Sequence, residues 1–480
     1  MDHDAVRTRI STGELIGRRI DGVDRHLGIP YAAPPFGPRR FRSPEPPEAW
    51  SAPRDASAFG PTAPQLPYAG ATAEILGSLR IDGDDILTAN VWAPVGARSA
   101  PVVLWIHGGA LERGTAALSL YDGTAFARDG IVFVSINYRL GSEGFSVLDG
   151  APRNLGLQDA AAALRWVHEE IAAFGGDPDR ITLMGESAGG ALVAALLSRA
   201  DTRALVCGGI IQSGPLLASS PARGGRVTRQ LAARLGVPAT AEAFTALAPD
   251  ALLEARHAQS AGSSPLGGAP GFALVIDEET LPSSPHEALR DADVPILIGT
   301  NTDEYRLWFP PEALAAIRPA KLLLARLALR IPAAAVRAVR TDHPGASTGE
   351  VFGQLATDLL LRAPATRAAQ ARSGTATHLY EFSWPSAVRD LRAAHALEIP
   401  FVFDVLADPE SLRIAGADAP QSLATAMHDA WVRFIHDGDP GWPAYGAQRT
   451  AALFAGSGGD PVVGPQRRTV VVDLLPTPRA

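Results

Sequence analysis

Gly185-Glu186-Ser187-Ala188-Gly189 sets one serine between two glycines, directly after the apolar run 181–184 and directly before the helix-forming run 191–198. A serine on a sharp strand-to-helix turn has a strained backbone. Small flanking residues let neighbouring segments approach, so the turn lifts the hydroxyl above the sheet edge. The pentapeptide alone also fits a glycine-rich turn with a surface serine. Its position between a strand and a helix is what points to a nucleophile.

A serine hydroxyl is a poor nucleophile at neutral pH and needs an adjacent base, normally histidine, itself oriented by a carboxylate. On a turn of this kind the chain order is Ser, then Asp or Glu, then His. Seven histidines lie downstream of Ser187, and only His395 falls in a loop-like stretch shortly after a candidate strand, ahead of Leu397-Glu398-Ile399-Pro400-Phe401. His395 is therefore the expected base. For the acid, Asp303 and Glu304 both sit just past Ile298-Gly299-Thr300, where a carboxylate can reach across the sheet edge. Spacing leaves the two open.

Acyl chemistry also needs fixed donors for the charge that develops on the former carbonyl oxygen, and losing one such donor typically costs about 3 kcal/mol. The run 102–106 leads into His107-Gly108-Gly109-Ala110, and Gly114 closes the loop four residues later. Successive small residues let backbone N–H groups point into a cavity without obstruction. The N–H of Ala188, next after the nucleophile, is a further donor in this geometry. His107 is expected to brace the loop rather than to transfer protons. A phosphate cradle is the competing reading of the loop, but no Gly-Lys-Ser or Gly-Lys-Thr follows it.

Residues so far apart in the chain meet only on a rigid scaffold. Short apolar, β-branched runs at 102–106, 131–137, 181–184, 205–211, 294–298 and 378–384 alternate with longer segments of helical periodicity. That alternation is expected of an α/β fold with a mostly parallel sheet covered by helices. Leu157, Ala161, Leu164, Val167, Ile171 and Phe174 recur at steps of three or four and form one apolar helical face. The first hundred residues are richer in proline and turn signals and read as small strands and loops ahead of the sheet. No linker separates them, so residues 1–480 read as a single domain. Ala- and Leu-rich helical segments at about 215–270 and 310–364 interrupt the rhythm and are expected as insertions over the C-terminal edge, where open α/β sheets bind ligands. Within the second, 318–340 reads as lid or packing helices rather than a membrane-surface helix, because Pro319 and Pro332 break it.

Composition excludes several classes of function. A chain of 480 residues buries roughly three quarters of its unfolded surface and needs no disulfide or metal staple. The single cysteine, Cys207, forbids an internal disulfide and zinc sites built from several thiolates. Net charge is -8, with basic residues interspersed among Asp and Glu, so nucleic acid is not an expected partner. The sharpest basic cluster, Arg39-Arg40-Phe41-Arg42, is expected as solvated or locally paired surface. The N-terminus lacks a secretory pattern and no apolar stretch reaches the ~18 residues of a membrane span, which makes the cytoplasm the expected compartment.

Taken together, these segments resemble the type-B carboxylesterase family of α/β-hydrolases, the group of para-nitrobenzyl esterases, carboxylesterases and cholinesterases. The matching segments span most of the chain. They include Gly28-Ile29-Pro30-Tyr31-Ala32, Asn90-Val91-Trp92, Trp105-Ile106-His107-Gly108-Gly109 and Asn137-Tyr138-Arg139-Leu140-Gly141. They continue with Phe174-Gly175-Gly176-Asp177-Pro178, the Ser187 pentapeptide, Gln212-Ser213-Gly214, Asp303-Glu304 and His395 with Glu398. The resemblance implies the α/β-hydrolase fold, Glu304 as the triad acid, His395 as the base, and an oxyanion hole from Gly109, Ala110 and Ala188. It implies no metal and no organic cofactor. Glu186 and Ser213 resemble family positions that support the histidine through buried polar contacts.

The chain departs from the family pattern at Ala110, Leu111, Tyr305 and Ala396, where the family has glycine, an aromatic, glycine and glycine. If those glycines need positive φ, Tyr305 and Ala396 carry backbone strain. The tryptophan-bearing segment with which cholinesterases hold quaternary ammonium has no counterpart, so choline esters are not expected substrates. The expected function is hydrolysis of small-molecule carboxylic esters, a broad range of short-chain or aryl/alkyl esters, through an acyl-enzyme on Ser187. The same triad serves a carbamate or amide hydrolase or an acyltransferase, and a non-catalytic binding protein on the same fold is the reading from another class. Leu111, Trp308, Phe309, Phe401 and Phe403, close in sequence to these positions, are candidates to line an apolar pocket.

Overall fold

The computed structural model describes residues 4–260, 271–372, 374–456 and 458–476. Its framework is one thirteen-stranded sheet. In chain order the strands are β1 (Ala5–Ile10), β2 (Gly13–Ile20), β3 (Val23–Pro30), β4 (Arg54–Asp55), β5 (Thr88–Pro94), β6 (Ala100–Ile106) and β7 (Val132–Ile136). They continue with β8 (Gly176–Glu186), β9 (Gly208–Gln212), β10 (Ile296–Asn301), β11 (Thr377–Phe382), β12 (Thr450–Phe454) and β13 (Val462–Pro465). In space they run β1-β2-β3-β5-β7-β6-β8-β9-β10-β11-β12-β13, with β4 beside β2. From β7 across to β12 every pairing is parallel, and antiparallel strands flank that block on both sides. The strands of the first hundred residues thus extend the main sheet through the antiparallel pairing of β5 with β7.

Side chains alternate between two buried layers, as strand geometry requires. Val102, Leu104 and Ile106 pack on one face, Val103 and Trp105 on the other. The six periodic residues from Leu157 to Phe174 lie in the first layer, on the helix Leu155–Glu170 and the 3₁₀ turn Ile171–Phe174. Strand order reverses around β6, whose connection leads to β7 on one side, while β8 pairs on its other side and leads on to β9. Loops leaving neighbouring strands in opposite directions open a crevice at their carboxyl ends. Register brings the key positions there: Ile106 pairs with Gly185, Glu186 with Gln212, and Gln212 with Gly299. His107, Ser187 and Ser213 therefore leave the sheet along one edge, beside the end of β10.

Both expected insertions are helical. The first contains Pro221–Gly224, Arg226–Leu235, Ala241–Thr245 and Pro249–Ser260, and its expected part at 261–270 lies outside the described residues. The second contains Pro311–Ala315, Pro319–Ala328, Ala333–Asp342, Thr348–Thr357 and a π-helical turn at Asp358–Arg362. Pro319 starts one helix and Pro332 caps the next, so the two prolines divide this stretch as their missing N–H groups dictate. Arg40 of the basic cluster is buried against Glu143 at 2.6 Å, while Arg39 pairs at the surface with Glu45. Among the described residues no helix is long and apolar enough to cross a membrane.

Candidate active site

β8 ends at Glu186, and the helix Ala188–Leu197 starts two residues later, so Ser187 alone makes the turn. Its backbone sits at φ 54°, ψ −122°, a conformation that costs roughly 1–3 kcal/mol and persists only where its surroundings enforce it. The Ser187 N–H donates to Gln212 O at 2.8 Å, and its carbonyl accepts from Ala191 N–H at 2.9 Å. Gly189 is required sterically, since a Cβ there would overlap the carbonyl oxygen of Ile106 at the end of β6. At Gly108 a Cβ would come within 3.0 Å of the Ser187 Cβ. The loop after β6 and the serine turn therefore approach each other only because both are built from small residues.

His395 and Glu304 come together from separate loops. Glu304 follows β10 at the start of a short 3₁₀ turn, and His395 lies between β11 and the helix Ile399–Val402. Imidazole Nδ1 is 2.6 Å from Glu304 Oε2. The second carboxylate oxygen, Oε1, accepts from Ser213 Oγ at 2.6 Å and from the Asn301 N–H at 2.7 Å. Three groups thus fix one orientation of the carboxylate. Asp303, which spacing left open beside Glu304, points elsewhere: its Oδ1 accepts from Gln354 Nε2 at 2.8 Å.

A third carboxylate flanks the histidine. Glu186 Oε1 lies 3.0 Å from His395 Nε2, and both residues are almost wholly buried. Burial works against the imidazolium, but Glu186 and then Glu304 outweigh it and lift His395 to about 9. Burial lifts Glu186 to about 8, against the pull of His395. The Trp308 ring covers the histidine, with centroids 4.5 Å apart. Sequence reasoning attached no role to Glu398, Gln212 or Asn301. Glu398 accepts from Asn301 Nδ2 at 2.5 Å and from Gln212 Nε2 at 3.2 Å, tying the ends of β9 and β10 to the His395 loop. Their signal was their place in segments that resemble the family, Gln212 beside Ser213 and Glu398 three residues after His395, with no role attached.

Gly109, Ala110 and Leu111 all adopt positive φ, at 113°, 58° and 61°. Among the described residues the N–H groups of Gly109, Ala110 and Ala188 donate to no backbone or side-chain acceptor. His107 braces this loop as expected. Its Nδ1 contacts Gly108 O at 2.8 Å, its ring stacks on Tyr138, and burial lowers it to about 4, which leaves it neutral near pH 7. Of the two family-glycine positions past the acid and the histidine, Ala396 does sit at φ 66°. Tyr305 instead has right-handed helical backbone in its 3₁₀ turn and is not strained.

Ser187, Ala188, Ala110 and His395 line one cavity of about 860 Å³, roofed by residues of both helical insertions. Leu111 and Trp308 also line it. Phe401 and Phe403 do not; they belong to the core beneath, and Phe309 packs edge-on against Phe352 instead. Among the described residues no group of three or more His, Cys, Asp or Glu side chains is arranged to hold a metal ion.

Residues 4–453 match the model of the carboxylesterase family. The chain belongs to that family. This carboxylesterase is 35% identical to the para-nitrobenzyl esterase of Bacillus subtilis (strain 168), with 95% of this chain and 96% of that protein covered. It is 35% identical to the phenmedipham hydrolase of Pseudarthrobacter oxydans, with 94% of each covered, and 32% identical to a human cocaine esterase, with 90% and 85% covered. Among solved structures, a Geobacillus stearothermophilus carboxylesterase superimposes with a TM-score of 0.87 at 34% identity, covering 98% of this chain and all of that one. A para-nitrobenzyl esterase structure superimposes with a TM-score of 0.86 at 32% identity, covering 98% and 99%. The carboxylesterase is a serine hydrolase of carboxylic esters on the α/β-hydrolase fold.

Proposed function

We propose that the esterase acts through Ser187 as nucleophile, His395 as general base and Glu304 as the acid that orients the base. The observation that carries this reading is the 2.6 Å contact of Glu304 with His395 Nδ1, which leaves Nε2 directed away from Glu304, in a cavity that Ser187 also lines. His395 takes the hydroxyl proton as Ser187 Oγ attacks the ester carbonyl carbon. Glu304 stabilises the imidazolium and does not itself take the proton. The tetrahedral oxyanion is held by the N–H groups of Gly109, Ala110 and Ala188, which have no other partner among the described residues.

Collapse of the intermediate breaks the carbon–oxygen bond, and His395 returns the proton to the leaving alcohol. Water, deprotonated by the same imidazole, then releases the acid from Ser187. Substrates in this reading are small carboxylic esters, and the para-nitrobenzyl esters named for one relative are a first set to try. Transfer of the acyl group to an alcohol, or attack on a carbamate or amide, shares the first half-reaction and is distinguished by product analysis. The single cysteine, Cys207, supports the cytoplasm as the compartment. Hydrolysis of para-nitrophenyl butyrate tests the assignment: Ser187→Ala should abolish it, and undiminished turnover would refute the role of Ser187.

A further inference from the structure

The walls of the catalytic cavity carry an unusual charge for a protein whose net charge is -8. Among the described residues five arginines line the cavity, Arg113, Arg223, Arg226, Arg256 and Arg326, against one acidic residue, Glu112. Glu112 is already paired with Arg256 at 2.5 Å. Arg113 lies over the Tyr68 ring, its buried Nε without a partner. Arg223 and Arg226 are exposed, and among the described residues neither has a carboxylate within ion-pair distance.

The two insertions supply different chemistry to this space. Arg223, Arg226 and Arg256 come from the first. The second contributes chiefly apolar side chains, among them Leu322, Leu329, Phe352, Leu355 and Leu359; its one arginine in the cavity, Arg326, lies 3.5 Å from the Ile331 carbonyl. A substrate lying across Ser187 therefore meets an apolar surface from one insertion and unpaired guanidinium groups from the other. A concave site lined by one sign of charge concentrates ligands of the opposite sign, and low-dielectric walls strengthen the effect.

We propose that the esterase selects esters whose acyl or alcohol part ends in a carboxylate, the half-esters of dicarboxylic acids being the simplest case. The proposal rests on the catalytic reading above, because it places the reacting ester in the same cavity. The reaction balances as hydrolysis of a half-ester: the acyl carbon–oxygen bond breaks, and water supplies hydroxyl to the acyl carbon and a proton to the alcohol. The products are a diacid and an alcohol. The distal carboxylate takes no part in bond making and serves only to hold the substrate against Arg223, Arg226 and Arg113.

The test compares two para-nitrophenyl esters of equal size, the half-ester of adipic acid and a branched neutral analogue in which an isopropyl group replaces the carboxylate. For the wild type, kcat/KM should favour the anionic ester by about tenfold or more at low salt, and the ratio should fall as salt is raised. The double variant R223E/R226E should invert the preference, read as the ratio of the two kcat/KM values. The milder R223Q/R226Q variant should reduce it and covers the case in which charge reversal disturbs folding. Equal or better turnover of the neutral ester by the wild type, lost in Ser187→Ala, would overturn the preference and leave the catalytic reading standing. Turnover of either ester that survives Ser187→Ala would overturn both.

Discussion

His395 Nδ1 lies 2.6 Å from Glu304 Oε2, although ninety-one residues separate them in the chain. The contact exists because β10 and β11 are parallel neighbours, so the loops that follow them emerge side by side. Ser213, at the end of β9 on the other side of β10, then reaches the same carboxylate. The register of three adjacent strands thus determines the orientation of the imidazole.

Removing the charge of Glu304 while keeping its shape should therefore cost most of the activity. Glu304→Gln should lower kcat for para-nitrophenyl butyrate by about ten-thousandfold, because the amide cannot hold the required tautomer or stabilise the imidazolium. Ser213→Ala removes one donor to the carboxylate and should cost about tenfold, in line with a lost hydrogen bond to a charged group. Steady-state kinetics on the two variants decide the point, and equal losses would contradict the hierarchy.

The pH profile should show the same carboxylates. In the proposed mechanism His395 must be neutral to accept the serine proton, so kcat/KM should climb with pH through the value of the free enzyme. Burial opposes the charge, but Glu186 and Glu304 hold the histidine near 9 instead of 6.5, and the climb should continue into mildly alkaline solution. Glu186→Gln removes the negative charge closest to Nε2 and should move the climb down by about one pH unit or more. A variant profile that overlays that of the wild type would remove Glu186 from this account.

The serine turn should tolerate no added carbon at Gly189, where a Cβ would meet the Ile106 carbonyl. Gly189→Ala should displace the turn and lower kcat by about a hundredfold, the scale of a 1 Å misplacement. Ala396→Gly should change kcat less than twofold, because it only relieves the residue at φ 66°. Kinetics of the pair, with thermal melting to check folding, separate a positional requirement from a general intolerance of substitution.

Beside Thr302, two residues before Glu304, Glu381 is buried among Arg362, Arg467 and Arg468. Burial alone would raise its carboxyl, but these guanidinium groups outweigh it and hold it at about 2. Its folded value is depressed, so the carboxylate contributes stability that is fully present above the unfolded value of about 4.5 and is lost as pH falls through about 2. Glu381→Ala removes one of the two carboxylates facing buried Arg362, whose other partner, Asp358, remains, and should cost about 1–3 kcal/mol at neutral pH, with the difference from wild type shrinking in acid. Urea denaturation at several pH values measures both.

The proposed nucleophile and base could be picked out because their signals are local. A glycine-flanked serine between a strand and a helix has one geometry, and His395 was the one downstream histidine in the right setting. Asp303 and Glu304 were not separable by spacing, since adjacent residues differ only in the direction the backbone points them. The 3₁₀ turn after β10 decides that direction, and the resemblance to the family, not periodicity, singled out Glu304. Phe401 and Phe403 were misread as cavity candidates because nearness in sequence to His395 says nothing of which side of the sheet a ring enters. The Glu398-Gln212-Asn301 ties were invisible because they join three strand ends whose neighbours depend on sheet order.

The most direct test of the catalytic assignment is intact-protein mass spectrometry after exposure to a fluorophosphonate probe, followed by peptide mapping. A single adduct on Ser187, absent from Ser187→Ala and accompanied by complete loss of para-nitrophenyl ester hydrolysis, is the expected result. An adduct on another residue, or a Ser187→Ala protein that still turns over ester at the wild-type rate, would contradict it.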